Sequence, residues 1–156
     1  MSLSVTPVRS KADLNTFLKV PYAVHGEDPP QYVYPLLGHM RQFLDREKNP
    51  FFRHAEAELW VARDGDRLVG RIGAAVDRVS NEYHGEQVGY FGFYECAEHD
   101  EAARMLLATA RGWIAAQGMA TVRGPGCFTT NHDYLGLLVK GHERRPRVGM
   151  PWQPPY

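Results

Sequence analysis

Between Tyr90 and Gly118 the chain reads YFGFYECAEHDEAARMLLATARGWIAAQG, an apolar, aromatic strand running straight into an amphipathic helix. From about Asp100 to Gln117, helical spacing puts Ala102, Leu106, Ala110, Trp113 and Ile114 on one side, and Gly118 is a plausible stop. The junction places a helix N-terminus at the carboxyl end of a strand. Unpaired amides and the helix dipole make such a place a natural anion site. This sequence fills the turn instead with Glu98, His99, Asp100 and Glu101, where a phosphate cradle wants Gly and Arg.

The elements on either side follow from similar patterns. Ser4 to Arg9 reads as a short strand. Ser10 with Asp13 forms a helix start ahead of Leu14, Phe17 and Leu18. Gly26 to Pro30 is a loop, and Leu36, Leu37, Met40, Phe43 and Leu44 predict a second helix that Asn49-Pro50 ends. From Ala57 the period shortens: Glu58–Ala62, a turn at Asp64-Gly65-Asp66, Leu68–Val76, a longer turn over Asn81–Glu86, then Val88–Glu95. This predicts three sequential antiparallel strands. Thr121–Arg123 is a short strand leading into Gly124-Pro125-Gly126, where a positive φ or a close approach is expected. A short helix is expected near Thr130 or Asn131.

The 156 residues are expected to form a single domain, with residues 142–156 as an irregular, proline-rich tail. Lys plus Arg and Asp plus Glu balance at 18 each, which argues against a nucleic-acid partner or an anionic membrane. The local basic group Lys140, Arg144, Arg145 and Arg147 reads as a solvated loop. Cys96 and Cys127 form no CxxC pair, and no metal site is expected. No apolar run reaches the roughly 18 residues of a membrane span and no leader pattern opens the chain, so the expected location is cytoplasmic.

The stretches AELWVARDGDRLVGRIGAAV (57–76), VGYFGFYE (88–95) and MLLATARGWIAAQGM (105–119) resemble the second to fourth strands and central helix of the Gcn5-related N-acetyltransferases, the GNAT superfamily. The resemblance implies an α+β fold with a mixed, mainly antiparallel sheet flanked by helices. NPFFRHAEAELWVARDGDRLVGRI (49–72), RGPGCFTTNHDYLGLLVKG (123–141) and GMPWQPPY (149–156) resemble recurring phrases of a longer, poorly characterised bacterial branch. Against that branch the chain stops early, so the last strands of a GNAT sheet are expected to be missing or supplied otherwise. A fragment, a truncated product and a homodimer-forming half all remain open.

The resemblance also implies a site. Aligned on Leu106 and Leu107, Glu98 takes the Arg or Gln place of the pyrophosphate loop, Glu101 a glycine place and Ala103 the final small place. The backbone of Ala102 and Ala103 is then the expected cofactor contact, with acetyl-CoA or another acyl-CoA as donor. The carboxylates suit a helix start, at roughly 0.3–1 kcal/mol each, and oppose a pyrophosphate there. Phe93 and Tyr94 are expected to line the acyl cleft, and Glu95 is the candidate general base, or else an ordinary strand-end acid paired with an arginine. The superfamily's leaving-group tyrosine has no direct counterpart at Leu137; Tyr134, a turn earlier, is the substitute, or a core anchor. His99, His132 and Cys96 read as surface or rim residues. Two functions remain: an acyl-CoA-dependent N-acyltransferase with unknown acceptor, or a non-catalytic GNAT-like module that binds a partner or a second copy.

Overall fold

The computed structural model describes residues 2–26, 31–128, 136–146 and 152–155. Its elements are β1 (Leu3–Pro7), α1 (Lys11–His25), α2 (Leu37–Phe43), a 3-10 turn (Pro50–Arg53), β2 (Ala55–Asp64), β3 (Arg67–Asp77), α3 (Arg78–His84), β4 (Val88–Cys96), α4 (Asp100–Ala116) and β5 (Thr121–Arg123). The strands form one sheet in chain order, β1-β2-β3-β4-β5. The first four are antiparallel, and β5 runs parallel to β4. This is the expected α+β architecture.

Local chemistry explains most boundaries. Ser10 Oγ accepts from Asp13 N while the Asp13 carboxylate accepts from Ser10 N, a complete capping box at the start of α1. Gly65, at φ 58°, closes the β2–β3 hairpin. The long turn expected over Asn81–Glu86 is instead the helix α3. The Asp77 carboxylate caps Ser80 N, and Gly85 ends the helix at φ 65°. Those caps suffice for seven residues, none of them buried, so no apolar period could reveal the helix. The second helix is shorter than expected, ending at Phe43; Asn49 caps the 3-10 turn at Phe51 N instead of closing that helix.

The sheet is covered on both faces. Ala102, Leu106, Ala110 and Ile114 of α4 pack with Trp60, Val69, Ile72 and Ala74. Phe17, Leu18 and Val20 of α1, with Met40 of α2, pack with Val61, Ala75 and Phe93 on the other face. Alternation along β3 therefore sends Ile72 and Ala74 toward α4 and Arg71 toward α1, where its guanidinium lies 4.9 Å from the centre of the Phe17 ring.

Two irregularities shape the end of β4. Gly73 pairs with Gly92 and Arg71 with Glu95, so Phe93 and Tyr94 together oppose Ile72. This is a β-bulge, and Phe93 adopts φ 51° within it. On the other edge the ladder with β5 ends at Tyr90 and Arg123. The chain then crosses tightly over Gly92: a Cβ there would lie 1.8 Å from Gly126 O. The close approach expected of the Gly-Pro-Gly segment is therefore present. Beyond it, no strand among the described residues pairs with β4 on that side, and a cavity opens.

Candidate functional site

The cavity has a volume of about 360 Å³. One wall is Phe93–Asp100, from the bulge through the start of α4; Pro125–Cys127 and Trp152–Pro154 lie across it. Tyr32 and Pro35 complete the rim. The wall along β4 follows from the irregularities above, since the bulge and the end of the β5 ladder interrupt its pairing there.

Glu95 is the chemical centre. Its Oε2 lies 2.5 Å from His25 Nε2, and its Oε1 accepts from the Tyr32 hydroxyl at 2.5 Å. Arg71 Nη2 stands 3.6 Å from the same Oε1. The His25 and Arg71 side chains are only 3% and 4% exposed, against 14% for Glu95. A carboxylate this buried requires such partners, since an unpaired one is costly.

The elements that deliver these partners are built for it. His25 is the last residue of α1, whose dipole favours a cation there. Its ring stacks on Tyr32 at 4.3 Å and meets Trp152 edge-on at 5.9 Å. Pro21 lies inside α1 and has no N–H, so the Phe17 carbonyl, four residues back, loses its helical donor. Arg71 Nη1 supplies the replacement at 3.2 Å. Arg71 Nε is the buried side-chain atom that lacks a partner among the described residues.

The other expected site residues are placed as follows. Phe93 lines the cavity, and its ring packs with Phe17, Phe43 and Phe128. Tyr94 lines the cavity; burial first, then the adjacent Cys96, pushes its hydroxyl well above the usual tyrosine range, so it stays a proton donor. Burial likewise raises the Cys96 thiol. At the start of α4 the His99 ring itself caps the helix, accepting from Ala102 N at 3.3 Å, and Ala103 N donates to His99 O at 3.0 Å. Ala103 lines the cavity, whereas Ala102 is wholly buried beneath it. Glu98 and Asp100 also face the cavity. Tyr134 and His132 lie outside the described residues, as does the helix expected near Thr130. No group of three or more potential metal ligands occurs among the described residues.

Comparison with solved structures places this architecture. The chain superposes on a tandem GNAT protein from the clavulanic acid biosynthesis pathway with a TM-score of 0.59 at 18% identity, over 78% of this chain and 35% of that one. The fold is a GNAT fold. An aminoglycoside acetyltransferase from an uncultured soil metagenomic sample shares this GNAT-like architecture at a TM-score of 0.54 and 14% identity, over 83% of this chain and 80% of that one. No protein-family model matches the chain. Among curated proteins it is 34% identical over 155 residues to the bacterial ceramide synthase of Caulobacter vibrioides, covering 99% of this chain and 40% of that protein. It is 30% identical over 147 residues to protein YghO of Escherichia coli, covering 94% of this chain and 37% of that protein. The GNAT-like chain spans about two fifths of these relatives' length. No helix among its described residues is long and apolar enough to cross a membrane.

The sequence singles out Glu95 as a candidate, whereas its contacts with His25, Tyr32 and Arg71 come from the structure. Arg71 did carry a signal, as the single charge in the otherwise apolar run LVGRIGAAV. His25 and Tyr32 carried none, being 70 and 63 residues from Glu95 with no motif spacing.

Proposed function

We propose that this domain serves N-acyl transfer from an acyl-CoA to an amine that bears a long apolar chain, with Glu95 as general base. The observation that carries this reading is the Glu95 carboxylate held at the β4 bulge, inside a cleft, by His25, Tyr32 and Arg71. A positioned carboxylate can remove the proton that keeps an amine from attacking a thioester. In this reading, backbone amides of the bulge at Phe93 and Tyr94, where the ladder is interrupted, would serve the acyl carbonyl as negative charge develops. The Tyr94 phenol, kept protonated by burial, is a donor beside the same space.

The acceptor class rests on two supports. One relative is a bacterial ceramide synthase, and a ceramide is the amide of a fatty acid with a long-chain amino alcohol. The cavity lining also suits a lipid chain: Leu137 lines it and is 65% exposed, and the exposed Val33, Leu36 and Val139 are within two residues in sequence of lining residues. The carboxylates Glu98 and Asp100 at the cavity suit an entering ammonium.

The start of α4 does not fit the donor's pyrophosphate. Ala102 N and Ala103 N are already taken by His99, and Glu98, Asp100 and Glu101 oppose an anion there. No step is assigned to that end of the donor. This mismatch favours a second reading, a GNAT-like module that binds without catalysing. Incubation with acyl-CoAs of increasing length and a long-chain amine, with the amide detected by mass spectrometry, separates the two. Amide formation that Glu95→Gln abolishes supports transfer. Calorimetric binding of the long-chain amine without any amide product supports the binding module.

A further inference from the structure

Glu95 is surrounded by groups whose charge differs in kind. Arg71 is permanently cationic and the Tyr32 hydroxyl is a neutral donor, whereas histidine is the side-chain type that can be either neutral or cationic near neutral pH. The nearly buried His25 ring meets the cavity through Glu95, Tyr32 and Trp152, and of these three Glu95 is the one that can act as a base. We infer that His25 is a positioning residue that switches Glu95 between a restrained and an active base according to its own protonation. This rests on the N-acyl-transfer reading above.

The argument follows from who faces whom. Glu95 meets His25 from α1, Arg71 from β3 and Tyr32 from the segment before α2; Glu98, His99 and Asp100 line the same cavity from the start of α4. An imidazolium at His25 would set a second cation beside the carboxylate with Arg71, and a neighbouring cation favours the charged form of any carboxylate. When His25 is neutral, its Nε2–H still donates to Oε2 and fixes the carboxylate, while one cation is gone. Glu95 then accepts a proton more readily. The imidazolium is itself well housed, at the C-terminal end of α1, stacked on Tyr32 and edge-on to Trp152. Both states of the switch therefore have support.

In the reaction, the acceptor enters as an ammonium and gives one proton to a free lone pair of Glu95. The amine nitrogen forms a bond to the acyl carbon, and the carbon–sulfur bond breaks with its electron pair passing to sulfur. The amine's second proton ends on that thiolate. The proton on Glu95 returns to solvent, so the products are amide, thiol and one proton.

The test replaces the titrating ring with an amide that can still donate to Glu95. His25→Gln should retain transfer within about tenfold at high pH and lose the acidic limb of the kcat/KM profile near neutrality, with the KM for acyl-CoA unchanged. A wild-type pH profile in His25→Gln overturns the inference. A second readout needs no activity. In protein carrying ¹³C-labelled glutamate carboxyls, the Glu95 signal should move as His25 titrates, and that step should vanish in His25→Gln. A Glu95 signal indifferent to His25 overturns the coupling even in an active enzyme. A coupled signal in a protein that makes no amide leaves the switch standing and defeats the transfer reading alone.

Discussion

Gly92→Ala is the sharpest test of how the cavity is formed. A Cβ built at Gly92 would lie 1.8 Å from Gly126 O, 2.5 Å from Gly126 C and 3.1 Å from Cys127 N. The first distance is about 1.6 Å short of the 3.4 Å at which ordinary contact begins. All three atoms are backbone, so no change of rotamer relieves the clash. The segment must move off β4, and the bond from Gly126 N to Phe91 O, 2.9 Å long, goes with it. Overpacking costs about 1–3 kcal/mol and the lost hydrogen bond about 1 kcal/mol, so roughly 2–4 kcal/mol is expected. With a urea dependence of about 2 kcal/mol per molar, the unfolding midpoint should fall by about 1–2 M. Gly112→Ala is the control: it sits in α4 with nothing within 4 Å, and should gain about 0.5–1 kcal/mol from helix propensity. Urea titrations followed by circular dichroism measure both. A Gly92→Ala midpoint equal to the parent's, with Gly112→Ala behaving as stated, would refute the claim that the crossing at Gly92 holds the cavity's edge.

Other outcomes follow from the same structure. Leu106→Ala removes a fully buried side chain between α4 and the sheet, and should cost about 2–5 kcal/mol by urea unfolding. Ser10→Ala should cost about 0.5–2 kcal/mol by the same measurement, because it leaves Asp13 N without its cap. Amides of Arg9 and then Ser10 hold the Asp13 carboxyl below its usual value. Its folded value is the lower one, so its contribution is present above the unfolded carboxylate range and fades as pH falls through the folded value. Asp13→Asn should therefore flatten the acid side of the stability profile and leave a smaller difference from the parent at the acid end. Glu95→Gln should lower acyl transfer to a long-chain amine by about 10²- to 10⁴-fold in initial-rate assays, with acyl-CoA binding retained.

What could be read from the sequence was local. The Ser10–Asp13 box, the Asp64-Gly65-Asp66 turn and the apolar period of α4 each act within a few residues, and each holds in the structure. The short helix α3 escaped because it buries nothing and is defined by caps alone. Glu95 was legible as a strand-end carboxylate near a cleft, and its partner arginine stood as the ordinary alternative; both features coexist in one cluster. His25 and Tyr32 were not legible, since their meeting with Glu95 depends on how α1 lies across the sheet. The capping of α4 by His99 was equally hidden, because histidine is an uncommon cap and its ring orientation is set by the turn.

Pro21 gives the assembly a particular order. An isolated α1 would be weakest where the proline removes a donor, and that weak point precedes the turn that carries His25. The oxygen it leaves vacant is filled by an arginine from a central strand, more than 50 residues away in sequence. The turn from Phe17 to Pro21 is thus completed by the sheet rather than by the helix itself. Residues that would strengthen α1 as an isolated peptide would compete with Arg71 for the same acceptor. The carboxylate, histidine and arginine consequently come into register only once tertiary structure has formed, and local opening of β3 would dismantle the site before it unfolded the helix.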